Sequence, residues 1–312
     1  MATSLKELTH RSSYLTRGHS ACAGCAGPVV IRQIMLAAAE HPLVVTFATG
    51  CMEVVSTLYP YTAWKCSYLH NAFENSAATM SGVETAFRKL KDQGKVSGDY
   101  RFIAFGGDGG TYDIGFQSLS GTMERGHRLL YVCYDNQAYM NTVIQRSSAT
   151  PKGAWTNTSP VGSVGTGKKQ HRKDLASIIA DHEVPYVAQA SPHNYRDLIS
   201  KVEKALEVDG PSFINALSPC PLGWGYPNDQ TMVMSKLAVD TCFWPLFEVE
   251  NGVWKVNYKP KNKLPITEWM KGQRRFKHLF TPENEWIIEE LQSHTDKKWA
   301  ELLRKEECFG GS

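Results

Sequence analysis

Residues 43–48 form a short apolar, β-branched run that ends in Thr49-Gly50-Cys51, the pattern of a buried strand entering a tight loop. The same pattern recurs at residues 101–105, 128–134, 186–190 and 212–217. Between these runs the apolar positions change to a helical spacing, at 72–91, 112–125, 174–182 and 193–208. A further helix is predicted over 28–40, opening at Pro28, which a first turn tolerates because its missing N–H would have no partner there. Strands without polar alternation, separated by helices, predict an α/β fold: a doubly wound parallel sheet covered on both faces. Residues 141–170 lack any period and make a loop far above ordinary connection length, so a functional or disordered segment is expected. The pattern breaks near residue 240. We divide the chain into an α/β domain over 1–240 and a C-terminal extension over 241–312 that provides subunit contacts.

Composition narrows the function classes. The chain has 312 residues, 42% hydrophobic and 21% charged, which excludes a disordered or fibrous protein. Its formal net charge is +3, giving no electrostatic reason to expect nucleic acid or an anionic membrane as partner. No apolar run approaches the ~18 residues a membrane span needs. The N-terminus mixes both charges and has no secretory core, so a cytoplasmic location is expected.

The glycine-rich run Gly106-Gly107-Asp108-Gly109-Gly110 lies between a strand and a helix, at the edge where open α/β sheets bind ligands. Glycines there let backbone approach a phosphate, and the helix start offers free N–H groups. Asp108 would repel a phosphate unless a divalent cation stood between them, and Mg²⁺ suits that role. Asn136 ends the next strand one βα unit later, within reach of the same cation. The plainer alternative is a tight turn and a turn residue.

Eight cysteines are too few for a disulfide scaffold. Cys22 and Cys25 form a Cys-x-x-Cys unit before a helix; Cys51 and Cys220 both follow strands, at the edge that carries Asp108. Four thiolates meeting there could hold a [4Fe–4S] cluster. A structural zinc, a redox dithiol and inert core thiols stay open on spacing alone. Cys66, Cys133, Cys242 and Cys308 have no partner at short spacing, and Cys133 is expected to be a core thiol.

Gly107-Asp108-Gly109 followed by Asn136 resembles the thiamine diphosphate motif. That resemblance implies Mg²⁺ held by Asp108, Asn136 and the Ala138 carbonyl, with Gly107, Gly109 and Gly110 around the diphosphate. It is the diphosphate-binding half only. Glu74 and Glu84 are not placed to serve the aminopyrimidine, so another subunit is expected to do so.

More broadly the chain resembles the beta subunit of the 2-oxoacid:ferredoxin oxidoreductases, pyruvate:ferredoxin oxidoreductase among them. The resembling stretches include Gly18-His19-Ser20-Ala21-Cys22-Ala23-Gly24-Cys25, Thr49-Gly50-Cys51-Met52-Glu53, Tyr134-Asp135-Asn136-Gln137-Ala138-Tyr139-Met140-Asn141-Thr142, Gln145-Arg146-Ser147-Ser148 and Ser218-Pro219-Cys220-Pro221. They run in the family's order from residue 18 to about residue 280. The resemblance implies that Cys22, Cys25, Cys51 and Cys220 ligate a [4Fe–4S] cluster. It implies that Gly27 and Cys51 approach the thiamine ring, and that Asn141 reaches the reacting carbon or substrate as the catalytic residue.

The implied activity is oxidative decarboxylation of a small 2-oxo acid, pyruvate first, with electrons passed through iron–sulfur clusters to ferredoxin and coenzyme A as the usual acyl acceptor. The chain lacks a Cys-x-x-Cys-x-x-Cys-x-x-x-Cys run, so a ferredoxin-like cluster subunit is expected as a further partner. Val143 stands where the family usually has Gly, and Gly225 where Arg is common. Oxalate, which would leave no acyl group for coenzyme A, is the alternative substrate. A non-catalytic, zinc-stapled binding subunit and a thiamine decarboxylase without electron transfer are the rival classes. Default readings are packing roles for His19 and His70, and a solvated pair or anion contact for Lys168-Lys169. Trp244, Phe247, Trp254 and Trp269 are expected to pack either against another subunit or in the chain's own core.

Overall fold

A computed structural model describes residues 4–311; the first three residues of the charged N-terminus and Ser312 lie outside the described residues. One sheet of eight strands organises the chain, in the order β2-β1-β3-β4-β6-β5-β7-β8. The strands are β1 (Leu43–Ala48), β2 (Ser67–Asn71), β3 (Arg101–Gly107), β4 (Leu130–Asp135), β5 (Tyr186–Ala190), β6 (Ser212–Leu217), β7 (Phe247–Glu250) and β8 (Val253–Val256). The first six are parallel; β7 adds antiparallel to β5, and β8 antiparallel to β7.

Alternate strand residues feed two cores, as the period of two requires. Val45, Phe47, Ile103, Phe105, Leu130 and Val132 face helices Ala26–Ala37 and Tyr195–Glu207. Phe102, Ala104, Tyr131, Cys133 and Phe213 face helices Ser76–Asp92, Phe116–Glu124 and Leu175–Ala180. Cys133 is thus a core thiol, as expected. Because both faces are covered, every residue of β4, β5 and β6 is buried, and these strands read as continuous apolar runs.

Three features depart from the sequence reading. Helix Cys51–Ser56 and strand β2 follow β1 without having been foreseen. The edge strand β2 is largely exposed, so it carries neither a buried run nor a clean alternation. The sheet does not stop near residue 240, since β7 and β8 extend it. Of the two packing readings for Trp244, Phe247, Trp254 and Trp269, the structure shows the chain's own core. Trp244 and Trp269 are fully buried with Trp224 in a third core, and Phe247 stacks on Trp254 at 5.6 Å.

No helix among the described residues is long and apolar enough to cross a membrane.

Candidate functional site

The parallel topology brings the carboxyl ends of β2, β1, β3, β4 and β6 side by side. Four of these five ends carry a segment singled out in the sequence: Thr49-Gly50-Cys51 after β1, 107–110 after β3, Asp135-Asn136 after β4 and Cys220 after β6. The register fixes their neighbourhood, with Gly107 opposite Tyr134 and Asp135 opposite Leu217.

The chain leaves β3 through a π-helical turn, Gly109–Ile114, before helix Phe116–Glu124 begins. Such wide turns recur at functional sites because they loosen the backbone ladder. Glycine is required by contact distance. A Cβ on Gly110 would stand 2.7 Å from the Phe73 carbonyl oxygen, and one on Gly115 would stand 2.2 Å from the Gly110 carbonyl oxygen. Gly115 carries no signal in its own neighbourhood; its need for closeness arises only when the turn is wound.

Asp108 is completely buried. Burial and the neighbouring Asp135 carboxylate push its carboxyl well above the usual range, against hydrogen bonds from Ser147 and the Asn136 N–H. The Asn136 N–H donates to Asp108 Oδ1 at 3.2 Å. The Asn136 side-chain amide places one terminal atom 2.9 Å from Asp108 Oδ1 and 2.8 Å from the Ala138 carbonyl oxygen. As nitrogen, that atom donates to both. As oxygen, it completes three oxygens spaced like neighbouring ligands of Mg²⁺, whose bonds of about 2.1 Å set ligands about 3 Å apart. The three groups named from the sequence therefore converge, and a buried carboxylate disfavoured in its charged form is one that a cation would relieve. The donor set fits Mg²⁺.

Asp135 lies behind this site. It accepts from the Tyr112 hydroxyl at 2.7 Å and from Arg172 at 3.3 Å. Arg172 in turn lies over the Trp244 ring at 4.4 Å.

A cleft lined by Thr49, Cys51, Gly107, Asp108, Gly109, Gly110, Asn136, Ala138 and Asn141 joins the oxygen cluster to the first of the thiols. Asn141 is exposed on its rim. Gly27 is not on the cleft. It lies beside Cys25, whose sulfur caps the helix by accepting from the Gly27 N–H at 3.4 Å, and a Cβ there would strike Met52. Cys220 plays the same part at helix Pro221–Trp224, accepting from the Gly223 N–H at 3.3 Å.

Cys25 and Cys51 are both pushed up to about 12, first by burial and then by the charges of the other thiols, Cys220 and Cys22 included. Cys220 is raised for the same first reason, with Arg275 pulling it down. The four thiols thus lie within each other's fields, and Cys22 is exposed. Among the described residues, no three His, Cys, Asp or Glu side chains close on a point as the tight shell of one zinc ion demands. A [4Fe–4S] cluster takes four thiolates, the donor type that these cysteines supply.

Two further residues were missed by sequence reasoning. Ser147 donates its hydroxyl to Asp108 Oδ2, and Ser148 reaches Asp113 in the same way. The long loop 141–170 is therefore ordered around the site. Lys168 is buried and donates to the carbonyls of Ser148 and Thr150, so it neither sits in solvent nor meets an anion. Val143 adopts φ 74 and Ile144 φ 61, a left-handed pair just after Asn141. Gly225 lies off the cleft, with φ 76, packed so that a Cβ would meet Arg274 at 2.5 Å. His70 shares a 2.8 Å hydrogen bond with Thr49 on the cleft wall. Glu84 pairs with His127 at 2.9 Å inside the protein, away from the cleft.

A family model described as "Thiamine pyrophosphate enzyme, C-terminal TPP binding domain" matches residues 48–216. The pyruvate synthase subunit PorB of Thermotoga maritima is 51% identical over 97% of this chain and 95% of its own length. The corresponding subunit of Methanocaldococcus jannaschii is 48% identical over 92% and 96%. The ketoisovalerate oxidoreductase subunit VorB of Pyrococcus abyssi is 42% identical over 94% and 93%. Among solved structures, a 2-oxoglutarate:ferredoxin oxidoreductase from Magnetococcus marinus shares the fold, with a TM-score of 0.56 at 22% identity over 67% of each chain.

Proposed function

The chain belongs to the thiamine pyrophosphate enzymes, among the PorB-type subunits of the 2-oxoacid:ferredoxin oxidoreductases, and from that premise we propose that it binds thiamine diphosphate through Mg²⁺ and ligates a [4Fe–4S] cluster for oxidation of pyruvate. The observation that carries the reading is the meeting of Asp108, the Asn136 amide and the Ala138 carbonyl in a cleft whose other wall is Cys51. Pyruvate is favoured among 2-oxo acids, and over oxalate, because the relatives named for it reach 51% identity.

Bound coenzyme would supply the nucleophilic carbon and the electron sink for loss of CO₂, and the cluster would take up electrons singly. The chain's own contribution is placement. Asp108, Asn136 and Ala138 would hold the metal, with Ser147 fixing the Asp108 carboxylate. The opened turn at 109–114 would admit the diphosphate against backbone. Asn141, on the rim, would meet the substrate. Cys22, Cys25, Cys51 and Cys220 would ligate the cluster as thiolates, with Cys25, Cys51 and Cys220 giving up the protons that burial now favours.

The aminopyrimidine half, a ferredoxin-like cluster subunit, coenzyme A and ferredoxin complete the proposed assembly, in the cytoplasm. The test is the anaerobic complex, purified with its partner subunits and assayed with viologen on a panel of 2-oxo acids and oxalate. Pyruvate is expected to give the highest kcat/KM. Turnover on none of them would refute the reading, and turnover on oxalate alone would replace the substrate.

A further inference from the structure

Gln137 stands between Asn136 and Ala138, two of the three candidate metal ligands, and its backbone is left-handed, with φ 69. A residue other than glycine keeps that conformation only where its surroundings over-determine it. Four hydrogen bonds hold this turn. The Gln137 N–H donates to Asp135 Oδ1 at 3.0 Å, and the Gln137 carbonyl accepts from the Thr150 hydroxyl at 2.7 Å. The Asn136 carbonyl accepts from Trp224 Nε1 at 2.8 Å. The fourth is on the side chain, where Arg275 donates to Gln137 Oε1 at 2.6 Å across 138 positions of sequence. Gln137 is completely buried, and among the described residues its Nε2 has no hydrogen-bond partner, so the bond from Arg275 is what fixes the amide.

Arg275 is itself buried, and among the described residues no carboxylate forms an ion pair with it. Its guanidinium lies over the Trp224 ring at 4.1 Å and the Trp269 ring at 5.4 Å, and its Nε donates to Gln273 Oε1 at 2.8 Å. Packing alone does not call for a charge in this place. An unbranched apolar side chain would fill the slot between the rings without the cost of removing a cation from water. Such a side chain could not donate from a rigid, planar fork, which is what Gln137 receives. We propose that Arg275 is a positioning residue of the metal site: it grips Gln137 from the C-terminal extension, keeps the turn left-handed, and so holds Asn136 and Ala138 together toward Asp108. The proposal rests on the reading of Asp108, Asn136 and Ala138 as Mg²⁺ ligands. A change of φ at Gln137 rotates the chain before it against the chain after it. The Asn136 side chain and the Ala138 carbonyl, whose atoms now stand 2.8 Å apart, would then no longer share one cation.

The test uses the complete complex, stripped of Mg²⁺ and thiamine diphosphate, then titrated with Mg²⁺ at fixed coenzyme while coenzyme binding is followed by calorimetry. The variants are Arg275→Met, Arg275→Lys, Gln137→Met, and Arg275→Met combined with Gln137→Met. Gln137→Met keeps the length of the side chain and removes the acceptor. Arg275→Met and Gln137→Met are each expected to raise the half-saturating Mg²⁺ concentration at least about tenfold, and Arg275→Lys, which keeps a donor, less. The double variant is expected to go no further than the larger single change, because both substitutions remove the same hydrogen bond. At saturating Mg²⁺ and coenzyme, pyruvate turnover with viologen is expected to recover in Gln137→Met, since the reacting groups are untouched. An unchanged half-saturation in Gln137→Met overturns the proposal, whether or not Arg275→Met folds. So do effects that multiply in the double variant, which would give Arg275 a role independent of Gln137. A lowered Tm in Arg275→Met with an unaltered Mg²⁺ response also overturns it, by confining Arg275 to packing. Absence of Mg²⁺-dependent coenzyme binding in the unaltered complex would instead strike the functional reading, and the proposal with it.

Discussion

Ser147 donates its hydroxyl to Oδ2 of Asp108, a residue 39 positions earlier in the chain. With the Asn136 N–H on Oδ1, both carboxylate oxygens are fixed from outside the glycine-rich loop. The long loop after Asn141 therefore finishes the site that the strand ends begin, and Lys168 holds that loop by two carbonyls.

Replacing Asp108 by Asn is expected to weaken thiamine diphosphate binding in the presence of Mg²⁺ by at least about tenfold, with no loss of thermal stability. The folded protein already disfavours the charge at this buried position, so its removal costs the fold little. Titration calorimetry and a melting curve measure the two sides. An unchanged affinity would reduce the glycine loop to a turn.

Ser147→Ala tests the missed residue. It removes one hydrogen bond to the carboxylate and leaves the cleft lining intact. Coenzyme affinity is expected to fall by about tenfold, the usual effect of losing a group that orients a metal ligand. Affinity equal to that of the unaltered chain would confine Ser147 to loop packing.

Cys220→Ser is expected to lower iron and sulfide content sharply while the far-ultraviolet dichroism of the sheet is retained. The sulfur is a helix cap and a candidate ligand, and serine can replace it only as a cap. Iron and sulfide are quantified on anaerobic protein. Full iron with normal electron transfer would take Cys220 out of the ligand set.

His294 is held down at about 4, first by burial and then by the charge of His171, on which its ring stacks at 3.7 Å. An unfolded histidine titrates near 6.5. Between those values the unfolded chain takes up a proton that the folded chain refuses. The contribution is therefore full above pH 6.5 and is lost as pH falls toward 4. His294→Phe keeps the stack and removes the titration, and is expected to reduce the acid-side fall in Tm by about 2 °C. Parallel Tm-against-pH curves for the two proteins would contradict this.

Much of the site was legible because its chemistry is local. Glycine beside Asp108, an asparagine one βα unit later and thiols at strand ends are the residue types that close backbone approach and the proposed metal and iron ligation would each require. The apolar runs likewise announced five strands, since strands buried on both faces have no polar positions to obscure them. Strand β2 was not legible, because an exposed edge strand needs no apolar pattern. Strands β7 and β8 are four residues each and carry too few positions to establish a period.

What the sequence by itself determined was the fold class, the Asp108, Asn136 and Ala138 set and the cysteines that stand near them. What only the tertiary structure decided were relations between distant segments. Ser147 completes Asp108, Gly115 must yield to the Gly110 carbonyl, and Trp244 and Trp269 fill this chain's own core. The physical reason is the same in each case. A hydrogen bond, a contact distance or a shared field depends on separation in space, and residues far apart in sequence acquire that separation only when the sheet order and the long loop bring them together.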